Sequence, residues 1–190
     1  MPIHRFDRST LAATPWKNGG GVTREIVCQP PAAGMDSFDW RVSIAHIESN
    51  GPFSAFAGVD RVITLLEGAG VRLHSSDGAF DHRLDMPLAP FAFAGEAPVT
   101  GTLLDGDCHD FNVMTRRAAC RASVTVCRGA TTLAAPAGLL LAVHGSWRAE
   151  TDTLSPGQGL WWRHGALSWS LAPASADAAL LAVSIHPVNP

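Results

Sequence analysis

The spacing of its chain-breaking residues constrains this sequence most. Eighteen glycines and 13 prolines in 190 residues interrupt it about every eight to twelve positions, too often for long amphipathic helices and as expected of an all-β sandwich or barrel. Between the breaks, the sequence alternates. In FDWRVSIAHI (38–47), Trp40, Val42 and Ile44 fall on one side and Arg41, Ser43 and Ala45 on the other, the period of two that a strand with unlike faces requires. The same alternation predicts strands at 22–27, 60–68, 71–74 and 110–116. Farther on it predicts them at 121–127, 131–135, 138–150, 159–165, 167–172 and 179–187. Two comparable antiparallel halves result, with a boundary placing residues 1–117 in the first and 118–190 in the second.

Composition narrows the function classes. A hydrophobic fraction of 46% with 16% charged residues describes a folded chain, and a formal charge of -3 offers no basic field for nucleic acid. The longest apolar run, around 137–143, is far short of the roughly 20 residues a membrane-spanning helix needs. The first residues show no basic stretch leading into a long apolar run, so a cytoplasmic protein is expected. Cys28, Cys108, Cys120 and Cys127 form no C-x-x-C pair, and reduced, mostly buried thiols are expected. No nucleophile elbow, P-loop or G-x-G-x-x-G motif is present.

Chemistry concentrates first in PWKNGGGVTREI (15–26), which holds the chain's single lysine. Three successive glycines suit either an N–H-lined anion nest in a tight turn or a flexible connection. Trp16, Lys17 and Asn18 offer a wall, a compact cation and a two-way amide, a useful set for a small polar acid. Arg24 and Glu25 point to opposite faces of a strand here, so at most one shares such a site. Arg41 and Ser43 face either solvent or a polar interior. The same choice applies to Asp110 and Asn112, which share a face with Met114 while Phe111 and Val113 lie opposite. Arg61, near a strand entrance, either snorkels or covers surface.

The eight histidines, at 4, 46, 74, 82, 109, 144, 164 and 186, show no H-x-H or H-x-x-x-H pairing with a nearby glutamate, so neither a metal nor another cofactor is expected. Of the six tryptophans, four lie in the second half, where Trp147 and the Trp161/Trp162 pair fall on predicted strands and most simply pack the core or an interface.

The blocks PWKNGGGVTREI, FDWRVSIAHIESNGPFSAFAGVDRVITLLEG and DFNVMTRR resemble those of the HutD/Ves family over residues 14–117. The second half is similar only in strand pattern and in the turn SPGQGL. The resemblance implies a bicupin, two small β-barrels in one chain. It also implies a part in bacterial histidine utilisation, in regulation through binding a pathway acid such as urocanate or a formylated amino acid. Metal-dependent cupins carry paired histidines and a glutamate in the first barrel, and the equivalent stretch here, GPFSAFAGVDRVITLLEG (51–68), has no such set. Carried onto this sequence, the family's polar pocket implies ligand contacts from Trp16, Lys17, Asn18, Arg41, Arg61, Asp110 and Asn112, with Lys17 at the mouth. A small carboxylate and a second copy of the chain are the expected partners. The alternative is a metal-independent enzyme, with Asp110 or His109 as general base and Lys17 or Arg41 holding an oxyanion.

Overall fold

The computed structural model describes residues 2–163, 165 and 167–188. The strands are, in chain order, β1 (Ile3–Asp7), β2 (Ala13–Pro15), β3 (Gly21–Gln29), β4 (Trp40–Ile47), β5 (Gly51–Pro52), β6 (Val59–Gly68), β7 (Val71–Ser75), β8 (Asp81–Leu84), β9 (Phe91–Ala94), β10 (Val99–Leu103) and β11 (Cys108–Arg116). They continue as β12 (Cys120–Cys127), β13 (Thr131–Ala135), β14 (Ala137–His144), β15 (Trp147–Ala149), β16 (Asp152–Leu154), β17 (Gln158–Trp162), β18 (Leu167–Pro173) and β19 (Ala179–Pro187). The fold is all-β, and among the described residues no helix is long and apolar enough to cross a membrane.

Two units emerge, Ala12–Cys120 and Met1–Leu11 with Arg121–Pro190. The first pairs a six-stranded antiparallel sheet, β2-β3-β4-β11-β6-β9, with a four-stranded one, β5-β10-β7-β8. Both sheets feed one core: Ile47, Ile63, Leu65 and Cys108 from the larger, Val71, Leu73, Leu84 and Val99 from the smaller. The second unit joins β1-β17-β14-β19-β12 to β13-β18-β15-β16. Its core sets Leu140, Leu160, Trp162 and Leu180 against Trp147, Leu154, Trp169 and Leu171, so Trp147 and Trp162 pack in the core as expected and Trp169 joins them. All four cysteines are free thiols.

Three sequence-based boundaries differ from the structure. Residues 1–11, grouped with the first half, belong to the second, because β1 pairs with β17 from Ile3↔Trp162 to Asp7↔Gln158. The strand expected over 138–150 is two, β14 and β15. Gly145 breaks it at φ +59, where a Cβ would lie 2.4 Å from Ser175 Oγ, and the Ser146 amide donates to that same oxygen at 2.9 Å. The strand expected at 159–165 ends at Trp162. His164 lies outside the described residues.

Candidate binding cavity

Cross-strand register assembles the site. Side chains of paired residues project from the same sheet face, and on the inner face of the larger sheet three rows follow. Thr23, Ala45, Asp110 and Leu65 make one, Glu25, Ser43, Asn112 and Ile63 the next, and Cys28, Arg41, Met114 and Arg61 the third. Leu65 and Ile63 continue into the core, while the polar members open into a cavity of about 560 Å³. Glu25 shares the face of Thr23 by simple alternation, and the bulge between Glu25 and Val27 then brings Cys28 rather than Val27 onto it. Arg24 is therefore the one directed away, and Glu25 accepts a hydrogen bond from Arg41 Nε at 2.7 Å.

All seven residues singled out from the sequence line this cavity. They occupy different depths: Lys17 and Asn18 are exposed at the rim and Trp16 and Arg41 half-buried, whereas Arg61, Asn112 and Asp110 are 7%, 5% and 1% exposed. The opposite faces of β4 and β11, carrying Val42, Ile44, Phe111 and Val113, are buried too. The polar face thus points into the cavity rather than into solvent.

The glycine-rich stretch is a tight turn, not an anion nest. The Gly19 amide donates to the Trp16 carbonyl at 3.0 Å and the Gly20 amide to Asn18 Oδ1 at 3.0 Å, so these donors are already used. Gly19 takes φ +70, and a Cβ on Gly21 would sit 2.2 Å from the His46 carbonyl oxygen. The turn fixes Lys17 and Asn18 at the mouth. Trp16 is held as a wall by its own indole N–H, which donates to Thr23 Oγ1 at 2.7 Å.

The floor is a directional relay. Arg61 Nη2 donates to Asn112 Oδ1 at 2.8 Å, and Asn112 Nδ2 donates to Asp110 Oδ1. Arg61 Nε and Asp110 Oδ2 are buried without hydrogen-bond partners. Three phenylalanine rings surround the guanidinium, Phe93 at 5.1 Å, Phe53 at 5.4 Å and Phe56 at 5.9 Å, an arrangement that favours a cation over ring faces. Burial pulls Arg61 down to about 10. It pushes Asp110 up to about 7, against the opposing pull of Arg61. Phe53 finds its place because β10 carries Gly101 behind it, where a Cβ would lie 2.7 Å from the ring.

Sequence reasoning missed Phe53 and Phe56. Two aromatics three residues apart in a Gly/Pro-bounded loop, just before the strand that carries Arg61, were the available signal. His109, weighed as a base, does not line the cavity. It stacks on His46 at 4.2 Å, with Nδ1 3.7 Å from Glu67. The cavity's donor set does not fit a metal cation: it presents three cationic side chains, two amides and one carboxylate, and no imidazole. Among the described residues, no group of three or more His, Cys, Asp or Glu could hold a metal ion.

The HutD family profile matches residues 8–181. The chain belongs to the HutD family. It is 45% identical to Protein Ves of Cronobacter sakazakii over 174 residues, 90% of this chain and 93% of that one. Among solved structures, HutD from Pseudomonas fluorescens SBW25 superposes with a TM-score of 0.86 at 31% identity, covering 98% of this chain and 99% of that protein. A Cupin 2 conserved barrel domain protein from Leptotrichia buccalis matches at TM-score 0.59 and 8% identity, covering 96% of each, a likeness of fold alone. The HutD fold seen here is thus a bicupin, as the sequence resemblance implied.

Proposed function

We propose that this HutD-family protein binds a small carboxylate in the cavity of its first unit and acts in regulating histidine utilisation through a pathway acid such as urocanate or a formylated amino acid. One observation carries the binding reading: Lys17, Arg41 and Arg61 line a single cavity at graded depth, with Asp110 the one lining carboxylate among the described residues. Glu25 offsets Arg41, which leaves an excess of positive charge for an incoming anion. Trp16, Phe53, Phe56 and Met35 supply apolar walls that suit an acid with a flat or aliphatic body. The link to histidine utilisation rests on family membership. The P. fluorescens HutD structure bears the description "Formate condition", which makes formate a sensible first probe.

Tryptophan fluorescence, with Trp16 on the cavity wall, follows a titration with formate, acetate, urocanate and N-formylglutamate. A charge-assisted hydrogen bond is worth about 1.5–3 kcal/mol. Lys17→Ala or Arg41→Ala is therefore expected to weaken the tightest acid by roughly tenfold to a hundredfold, and its neutral amide to bind poorly to every form. Binding by both variants as tight as that of the parent chain, or no binding of any acid, removes the reading.

A second reading, metal-independent acid–base turnover, is favoured by the rise of Asp110 to about 7, a range in which one carboxyl can both give and take a proton. Loss or change of the probe acids on incubation, followed by NMR, distinguishes turnover from binding.

A further inference from the structure

We propose that Asp110 takes up a proton when an anion binds, so that the site captures an acid as carboxylate plus proton and releases it as the medium becomes more alkaline. The inference rests on the carboxylate reading of the cavity and adds its regulation.

The geometry behind it is a competition for one cation. Asp110 is 1% exposed. Its Oδ1 is occupied by Asn112, and its Oδ2 has no partner. Facing it from β6 are Arg61, through Asn112, and the apolar Leu65; from β4 the paired residue is Ala45, with Arg41 farther along. On β3, Thr23 and Glu25 share the face, and Glu25 is held by Arg41. Lys17 stands exposed at the rim. On its own strand Cys108 is a thiol pushed up to about 12 by burial, then by Asp110, so it carries no charge at neutrality, and the His109 ring lies with His46 and Glu67. Arg61 is the charged group that favours the ionised Asp110 against burial, with the Asn112 amide, which donates to Oδ1, acting in the same direction.

An anion entering the cavity draws on that same guanidinium. Asp110 then has a buried negative charge with its counter-charge shared, and proton uptake onto the unpartnered Oδ2 removes it while Oδ1 still accepts from Asn112. The balance is simple: free protein with an ionised carboxyl, a carboxylate and one proton from solvent give a complex with a neutral carboxyl. Because uptake and binding are linked, each promotes the other equally.

The test is calorimetric titration with formate and with benzoate, a flat acid that titrates nothing above about pH 6, in two non-carboxylate buffers of unlike ionisation enthalpy. Uptake approaching one proton per anion is expected near about pH 8, with affinity falling toward tenfold per pH unit above about pH 7.5. Asp110→Asn, a neutral isostere, is expected to bind without proton uptake and with little pH dependence. An anion that binds the parent chain with no proton uptake, or with the same uptake in Asp110→Asn, overturns the proposal and leaves the carboxylate reading standing. If neither anion binds, both fall. The proton count on the unmutated chain decides the matter even where the variant folds poorly.

Discussion

Asp110 also sets a pH dependence of stability that needs no ligand. In the folded chain its carboxyl holds a proton up to about pH 7, whereas an unfolded aspartate does so only up to about 4. Between those values the folded state carries the extra proton, so this contribution to stability is complete below about pH 4 and is lost as pH rises toward 7. One proton of difference corresponds to a slope of about 1.4 kcal/mol per pH unit, or roughly 2–3 kcal/mol between about pH 5 and 7. The carboxylates held low by hydrogen bonds, such as Asp77 and Asp107, act with the opposite sign, but their window lies below the ordinary aspartate value. Asp110→Asn isolates the effect, since its side-chain oxygen can still accept from Asn112 while nothing titrates. Urea unfolding of both chains at about pH 5, 6, 7 and 8 gives the difference directly. The unsubstituted chain is expected to lose ground to the variant steadily up to about pH 7 and then hold level. A difference that is flat from about pH 5 to 7 would falsify the assignment of a buried, mostly neutral carboxyl.

Other consequences concern the frame around the cavity. Gly21→Ala places a Cβ 2.2 Å from the His46 carbonyl oxygen, a backbone atom that cannot swing away, and is expected to cost about 2 kcal/mol or more in urea unfolding; a loss below about 0.5 kcal/mol contradicts this close approach. Arg116 pins the segment that carries Met35 to the cavity wall, through Nε to the Phe38 carbonyl at 3.0 Å and Nη2 to the Asp36 carbonyl at 2.8 Å. Arg116→Ala is expected to speed amide exchange and proteolytic nicking across residues 30–38 while β6 and β11 stay protected. Equal exchange in both chains rules out the pin.

Alternation made the strands legible because a buried, half-polar strand leaves a period of two in the sequence. It did not reveal which face of β4 or β11 meets water, since period two says which residues share a face and not what covers it. Here both faces are covered, and only the family blocks gave a reason to turn Arg41, Asp110 and Asn112 inward. β1 was illegible for a different cause: IHRFD is five residues long, and its partner β17 lies about 150 residues away. The break at Gly145 depends on Ser175 and Ala178 crowding that glycine, which local pattern cannot contain. Phe53 and Phe56 sit in a loop with no periodicity, so their place over Arg61 follows only from the fold.

Gly101 separates two properties of the cavity that are usually entangled. The charged groups that would recognise an anion all sit on the larger sheet and the turn beside it, while the ring that closes over them leans on a missing side chain in the smaller sheet. Variation at this one position would shift Phe53, and with it the room in the chamber and one of the three rings around Arg61, while the hydrogen bonds from Arg61 through Asn112 to Asp110 lie on the other sheet. If the cavity binds as proposed, the size of its guest would be set from a position on the smaller sheet and the charge it prefers from the larger one.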